Sequence, residues 1–495
     1  MPEVVAKILG LDFELANFFL NATAIGGCLD AAQALLGEIR GFPLRTHWGT
    51  SIESGRRYLA TCGGSAYIDS SHLELCTPEH ASAAEHVVQV HAGLALARRA
   101  QQAAQRRLQP RLGRLEVLAN NCDGHVSYGS HLNVLTTARC FSDILFRKPH
   151  AGAFLASHLV TSIPYTGQGM VGSANGRPAC DYQLSARADW YEEFANRETM
   201  QRRPLLNQRD EPHAAGGLAR LHIIFFDFTL APVACFLRAG VTQLIVAMCE
   251  AGWIDPTLAL DDPVGAAADV SRDLSLQQTF ATTVRGRRLT AIELQQGLCD
   301  LAGEFVDSGA AEPAIPEARE ILRVWRETLD LLRRREIEAL ALRCDNWLKY
   351  LLLERQRSAC GLTWQSPALK VLDLRYASLD PVGGLFWNVA RTGCLEMWPD
   401  DEAVQQRQQE PPGETRAYAR AHLLRRFGNA VAGLDWSWIE FRVGPRRGWC
   451  SSARLEMNDP RRFNRAECSD LFARQPDLAE VVAELSSECL SSVES

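Results

Sequence analysis

The segment Gly10-Leu-Asp12-Phe-Glu14 sets two carboxylates two positions apart inside an apolar run. A strand alternates its side chains, so Asp12 and Glu14 share one face. Two acids side by side repel each other unless a cation sits between them. Hard cations such as Mg2+ take oxygen ligands. The plainer alternative is a solvated strand face. A second acidic segment runs Tyr67-Ile-Asp69-Ser-Ser-His72-Leu-Glu74-Leu-Cys-Thr77-Pro78-Glu79. His72 and Glu74 share a face there, opposite Leu73 and Leu75, and Asp69 stands just before them. A metal-type carboxylate with a separate aspartate suits phosphoryl or acyl transfer. The metal neutralises phosphate charge, and the free carboxylate orients or activates a nucleophile. His72 alone reads as a hydrogen-bonded structural histidine.

Two further segments add nitrogen donors. Asn120-Asn121-Cys-Asp123-Gly-His-Val-Ser127-Tyr128-Gly129-Ser130-His131-Leu-Asn133 holds small residues that let a backbone approach a ligand, with His131 as a metal or phosphate ligand. The other group is Arg187 in Tyr182-Gln-Leu-Ser-Ala-Arg187-Ala-Asp189, Arg209 in Asn207-Gln-Arg209-Asp210-Glu211-Pro212-His213, and Arg220-Leu-His222. Arginine suits phosphate because its planar fork donates paired hydrogen bonds. Most arginines are simply solvated. Arg209 is set apart by a run of ionisable groups just upstream of a buried-looking strand. No serine-hydrolase elbow, Walker A loop or dinucleotide fingerprint stands in usable context.

The elements that must carry these residues are mixed in order. Strands are expected near 5–15, 56–69, 126–135 and 220–228, and helices at 29–40, 82–108, 231–252 and, as a pair, 315–355. A Gly/Ser-rich loop lies within 171–187. Residues 401–415, polar and containing QQRQQEPPGET, read as the clearest linker. Beyond it a helix at 416–428, a strand near 435–443 and a helix at 470–487 make a mixed tail. Irregular alternation favours α+β with an antiparallel sheet over a doubly wound fold. The 495 residues allow roughly three domains, or one large domain with an appendage.

Composition excludes other classes. Lys+Arg of 52 against Asp+Glu of 59 argues against a general nucleic-acid coat, while leaving room for a local basic groove. The 15 cysteines are scattered without a CxxC pair, which removes zinc-ribbon and thioredoxin readings. An odd cysteine count and the lack of a basic leader region suggest reduced thiols in a cytosol. The most apolar stretch, Leu221–Cys249, is interrupted by Asp227, Pro232 and Arg238, so it reads as a buried strand and helix rather than a membrane span. A cytoplasmic protein with neither nucleic acid nor membrane as partner is expected.

Taken together, GLDFEL, YIDSSHLELCTPE, NNCDGHVSYGSHLN, YQLSARAD, NQRDEPHA and RLHIIFFD resemble one family, with SRDLSL, WQSPALKVLDLRYASLDPVGGLF and PPGETRAYARAHLLRRF in the same order. It is the Pup ligase and depupylase (PafA/Dop) branch of the glutamine-synthetase-like carboxylate-amine ligases. The resemblance implies a curved antiparallel sheet flanked by helices that holds ATP and Mg2+. It divides the chain into a catalytic domain at 1–410 and a small C-terminal α/β domain at 411–495. It implies as partners Pup or a Pup-like small acidic modifier and the proteins that carry it. Ligases of the family phosphorylate the side-chain carboxylate of a terminal Glu and join it to a lysine. Depupylases deamidate a terminal Gln and cleave the isopeptide bond. By motif, Asp12, Glu14 and Glu74 resemble the Mg2+ carboxylates and Asp69 the essential aspartate. His131, Arg187, Arg209 and His222 match the nucleotide-phosphate and metal-site positions.

From Asp69 to Glu74 is five residues, as in the depupylase pattern DHAHPE, whereas the ligase pattern DVGSHPE has six. Residues 270–440 also look more like depupylase. Against this, only 55 positions separate Glu14 from Asp69, so the long insertion usual in depupylases is missing. Asp12 stands for the usual Glu, Ala16 for Gly, Leu73 for Pro and Leu132 for Glu. The expected activity is an ATP/Mg2+-dependent amidase or isopeptidase. A Pup-type ligase is the runner-up, and a catalytically inactive nucleotide-binding regulator and a small-molecule carboxylate-amine ligase are further alternatives.

Overall fold

Strand β1 (Leu9–Leu20) is built by strict alternation. Leu9, Leu11, Phe13 and Leu15 are buried on one face, and Gly10, Asp12, Glu14 and Ala16 occupy the other. The apolar face meets the Ala83–Arg107 helix, where the missing Cβ of Gly93 makes room for the Phe13 ring. That helix starts at Ser82, whose side chain accepts from the Glu85 amide, and ends with Arg106 and Arg107 against its dipole. The computed structural model describes residues 4–20, 27–43, 53–108, 113–199, 201–209, 211, 213–312, 314–443 and 451–491.

Along the chain follow β2 (Phe42–Pro43), β3 (Glu53–Tyr58), β4 (Ser65–Asp69), β5 (His72–Cys76), β6 (Arg114–Leu118) and β7 (Ser130–Thr137). A short ladder of β8 (Met170–Val171) and β9 (Tyr182–Gln183) comes next. After it come β10 (Glu193–Asn196), β11 (Pro204–Asn207) and β12 (Leu218–Ile223). One sheet runs β10-β11-β12-β7-β1-β5-β4-β3-β2, with β6 pairing the far half of β1. Every pair is antiparallel except β10–β11. The expected α+β class with an antiparallel sheet is what the chain adopts.

Helices cover the apolar face. The Pro232–Ala251 helix has the length and apolarity of a membrane span, yet it is wholly buried inside the protein. Its two charges are engaged: Glu250 pairs with the buried Lys7 at 2.5 Å, and Arg238 donates to Ser130 Oγ and to the Asp227 carbonyl. Buried charge without such partners would be costly.

A second core gathers Tyr58 with residues of 418–485, including Leu423, Ile439, Phe441, Leu455 and Leu471. It is built on β15 (Val431–Asp435), β16 (Trp438–Val443) and β17 (Ser451–Glu456), the small hairpin of β13 (Thr279–Ala281) and β14 (Arg288–Thr290) lying earlier in the chain.

Several sequence expectations shift. The stretch at 401–415 is not a bare linker. Asp400 caps a helix at Asp401–Arg407, and Arg407 pairs with Glu85 at 2.6 Å, so the polar residues dock on the Ala83–Arg107 helix. The tail holds two helices, Arg465–Ala473 and Leu478–Ser491, where one was expected. Gln475, at φ 54°, breaks them apart. The pair expected at 315–355 is Ala318–Arg334 and Asp345–Cys360, with a single turn at Ile337–Leu340 between them. Among the described residues 13 cysteines are free thiols.

Candidate active site

The polar face of the sheet collects the acids. Register across β1 and β5 sets Glu14 opposite Glu74, and across β1 and β7 sets Asp12 opposite His131. Next along the sheet, β12 pairs His222 with Asn133 of β7, and β11 pairs Asn207 with His222. Two clusters result. Carboxylate oxygens of Glu14, Asp69 and Glu74 lie within 4.8 Å of one another, and so do ligand atoms of Asp12, His131 and His222.

A tight hairpin places Asp69. Strands β4 and β5 are joined by Ser70 and Ser71 alone, at φ 47° and 84°, and Asp69 pairs with His72. Two consecutive left-handed residues match the twist of a two-residue hairpin. The Ser70 hydroxyl donates to Asp69 Oδ1 at 2.8 Å. His72 Nδ1 meets Glu14 Oε2 at 3.0 Å and its ring packs on Tyr128, as expected of a hydrogen-bonded histidine. The Gly129 amide donates to Glu14 Oε1 at 2.6 Å, and a Cβ at Gly129 would collide with His131 and Glu14. The glycine therefore belongs to the site.

Burial works against ionisation of Glu74 and, with the neighbouring charges of Glu14, Asp12 and Asp69, raises its pKa well above the ordinary value. Burial, then the arginines, hold His131 and His222 well below theirs, so both rings are neutral. Arg187 heads the charges acting on His131, and Arg220 those acting on His222. A neutral imidazole keeps a lone pair for a metal or a donor for a phosphate.

The sequence-derived residues divide. Asp12, Asp69, Glu74, His131, Arg209 and His222 line one cavity, and Glu14 joins Asp69 and Glu74 in their cluster. Arg209 is exposed on the cavity wall and donates from Nε to the Arg197 carbonyl. Arg187 is not on that wall. It is fully buried, bonded to Ser127 Oγ and to the carbonyls of Ile224 and Phe226, because Asp227 and Ser185 fold the loop beneath it. Asp210 and Pro212 of the same motif lie outside the described residues.

Sequence reading missed Asn133, whose Nδ2 donates to Asp12 Oδ2 at 2.9 Å. It also missed Arg203, which holds the Ser127 carbonyl at 2.8 Å, and the cavity-lining Arg56. The signal for Asn133 was available: two residues beyond His131, it shares its face. Arg203 gave none, since an arginine before a proline carries no pattern.

Several buried nitrogens have no hydrogen-bond partner: both ring nitrogens of His222, Nη2 of Arg187, Nε of Arg203 and Nδ2 of Asn207. Together with the crowded carboxylates this donor set fits a divalent cation and a polyanion side by side. Glu14, Glu74 and Asp12 offer hard oxygen to the cation. Of the residues with unpartnered nitrogens, His222 lines the cavity, where its N–H can donate to a phosphate oxygen.

The departures from the family pattern fall into two kinds. Leu132 and Leu73 are fully buried on the apolar face and do not touch the acids. Asp12, one methylene shorter than glutamate, is engaged by Asn133.

A family model described as Pup-ligase protein matches residues 30–440. The chain is 34% identical, over 86% of its length and 83% of the relative, to a Pup deamidase/depupylase of Mycolicibacterium smegmatis. It is 31% identical, over 90% of its length and 94% of the relative, to a Pup–protein ligase of Acidimicrobium ferrooxidans. The solved structure of the Pup ligase PafA in complex with ADP superposes with a TM-score of 0.73 at 25% identity, covering 85% of this chain and 90% of that one.

Proposed function

The chain belongs to the Pup-ligase protein family, and from that premise we propose that it is an ATP- and Mg2+-dependent depupylase and deamidase. It hydrolyses the side-chain amide or isopeptide bond at the C-terminal residue of Pup or a Pup-like modifier, in the cytoplasm. The observation that carries this reading is the two-residue hairpin that ties Asp69 to the Glu14–Glu74 pair. A six-residue spacing between Asp69 and Glu74 would need a three-residue loop, commonly with a bulge. Asp69 would then stand differently against the acids. The five-residue spacing is the depupylase-like one.

Glu14, Glu74 and Asp12 would hold the cation, with Asn133 fixing Asp12 and Gly129 fixing Glu14. Arg209, His131 and His222, backed by Arg187 and Arg203, would hold the nucleotide phosphates. Once bound, the magnesium ion would supply positive charge that polarises a carbonyl and offsets the acids. Asp69 is the carboxylate that acts on that carbonyl, either by adding to it or by taking the proton of the attacking water. Water adds to the carbonyl carbon, the C–N bond breaks, and the nitrogen leaves with the proton as ammonia or as the lysine amine.

The second reading is ligation of a terminal Glu to lysine. It is supported by the short path from Glu14 to Asp69, which lacks the depupylase insertion. Mass spectrometry of a Pup-like peptide separates the two, with ATP, Mg2+ and a lysine acceptor present. Loss of ammonia from a Gln-ended peptide with no adduct supports hydrolysis. An adduct of the Glu-ended peptide with release of ADP overturns it in favour of ligation.

A further inference from the structure

Arg238 lies in the middle of the Pro232–Ala251 helix, fully buried in an apolar run. A guanidinium there is costly to bury, and an apolar side chain of similar volume would serve stability as well. Among the described residues Arg238 makes no ion pair. The groups it bonds are neutral: Ser130 Oγ at 3.0 Å, the Asp227 carbonyl at 2.9 Å and His86 Nε2 at 3.2 Å.

Two of these contacts reach the candidate site. Ser130 stands between His131 and Gly129, whose amide holds Glu14. Asp227 turns its carboxylate to the Ser185 hydroxyl and to the amides of Gln168 and Ala186. The carbonyl of the preceding Phe226 holds Arg187. One guanidinium therefore sets the spacing between β7 and the segment that seats Arg187.

The third contact fixes how that guanidinium faces. Beyond it, His86 Nδ1 meets His80 Nε2 at 2.9 Å, and His80 Nδ1 meets the Pro78 carbonyl at 2.9 Å. Arginine only donates, and a carbonyl only accepts. Starting from Arg238, His86 Nε2 is a lone pair and its proton is on Nδ1. Starting from Pro78, the His80 proton is on Nδ1 and its Nε2 is a lone pair. The two ends agree, so one arrangement of protons satisfies every link. Burial holds both rings below the ordinary histidine value, and neither carries the second proton that would break the line.

We propose that His80 and His86 form a relay of fixed tautomers that aims Arg238, and that Arg238 is a positioning residue for the groups that bind magnesium nucleotide. This inference rests on the reading of the cavity as a nucleotide site. None of the three residues lines that cavity, so they act through Ser130 and Asp227.

The test uses the full chain at neutral pH. Calorimetry reads its affinity for magnesium ADP, and urea unfolding checks that each variant is folded under the same conditions. His86→Gln can accept from Arg238 through its amide oxygen and donate to His80 through its amide nitrogen. It should bind within about threefold of the wild type. His86→Leu fills the space and makes neither bond, so it should bind about tenfold weaker or more. Arg238→Met should lose affinity by about as much. An equal loss in the Gln and Leu variants overturns the inference, since bulk rather than bonding then matters. Unchanged affinity in His86→Leu or in Arg238→Met overturns it as well. Nitrogen-15 NMR of the histidine-labelled wild type reads the tautomers and needs no variant that folds. Both rings should carry the proton on Nδ1, and a proton on Nε2 of either one overturns the relay. A wild type that binds no magnesium ADP overturns the nucleotide reading together with this inference. Affinity that all the variants leave intact overturns this inference alone.

Discussion

At the residue scale the site depends on division of labour between acids of one kind. Asp69 stands on a hairpin tip, half-buried, whereas Glu74 is sealed in the sheet and pressed by three other carboxylates. On the proposed reading, Glu74 takes the cation and Asp69 is left for the substrate. Asp69→Asn should lower turnover by about 100-fold or more and leave nucleotide affinity unchanged, read by ammonia release and by calorimetry. Loss of nucleotide binding would move Asp69 into the cation site. Arg209→Ala should weaken ATP binding by about tenfold through a lost charge-assisted contact, measured by calorimetric titration. Unchanged affinity would take Arg209 out of the nucleotide end. Both residues are legible in the amino-acid sequence, because Asp69 and Arg209 sit in dense runs of polar chemistry. Arg187 was expected among the cavity residues, and the structure buries it beneath them. Its place beneath the cavity follows from Asp227, which lies 40 positions away in the chain.

At the element scale the proposed reaction type rests on the hairpin of β4 and β5. Inserting one glycine between Ser70 and Ser71 converts the spacing to six residues. A displacement of about 1 Å at the reacting carboxylate costs about 100-fold in rate. The insertion should therefore cost turnover on that order while shifting the melting temperature little, because Ser70 at the tip of the turn is exposed. Retained hydrolysis would show that the hairpin does not set the reaction. The same alternation that made Asp12 and Glu14 legible explains why Leu132 and Leu73 are harmless. Each lies one position out of phase with the acids and fills the apolar face. The inactive-regulator reading leaned on Leu132, and it loses that support.

At the scale of the whole molecule, Glu79 joins the two cores. It follows β5 directly and is gripped by Arg416 and Arg420 from the second core. Burial opposes its ionisation, but Arg420 and then Arg416 outweigh that and bring it down to about 2. A carboxylate depressed on folding contributes stability above its unfolded value, near 4.5, and loses it as pH falls toward 2. The wild type should therefore lose a few kcal/mol across that window, and Glu79→Gln should lack the step. At neutral pH the variant should be less stable by about 3–5 kcal/mol, because two buried guanidinium groups lose their counter-charge. Urea unfolding at several pH values reads both. An unchanged acid profile would show that the clamp does not hold the cores together.

Periodicity alone was enough for the first half of β1, though not for its bounds (5–15 was expected and Leu9–Leu20 is found), for placing Asp12 and Glu14 on one face, for the long Ala83–Arg107 helix and for the buried Pro232–Ala251 helix. Those properties depend on neighbours two to four positions apart, and the motif order was enough to place the chain in its family. Periodicity could not show that Asp12 would meet His131 and His222 while Glu14 met Asp69 and Glu74. Nor could it show that Arg56 would line the same cavity or that the polar 401–415 stretch would dock as a helix. These depend on sheet register and on contacts between strands far apart in the chain. Register is decided only when both faces of the sheet are packed at once, the apolar one against helices and the polar one around its charges.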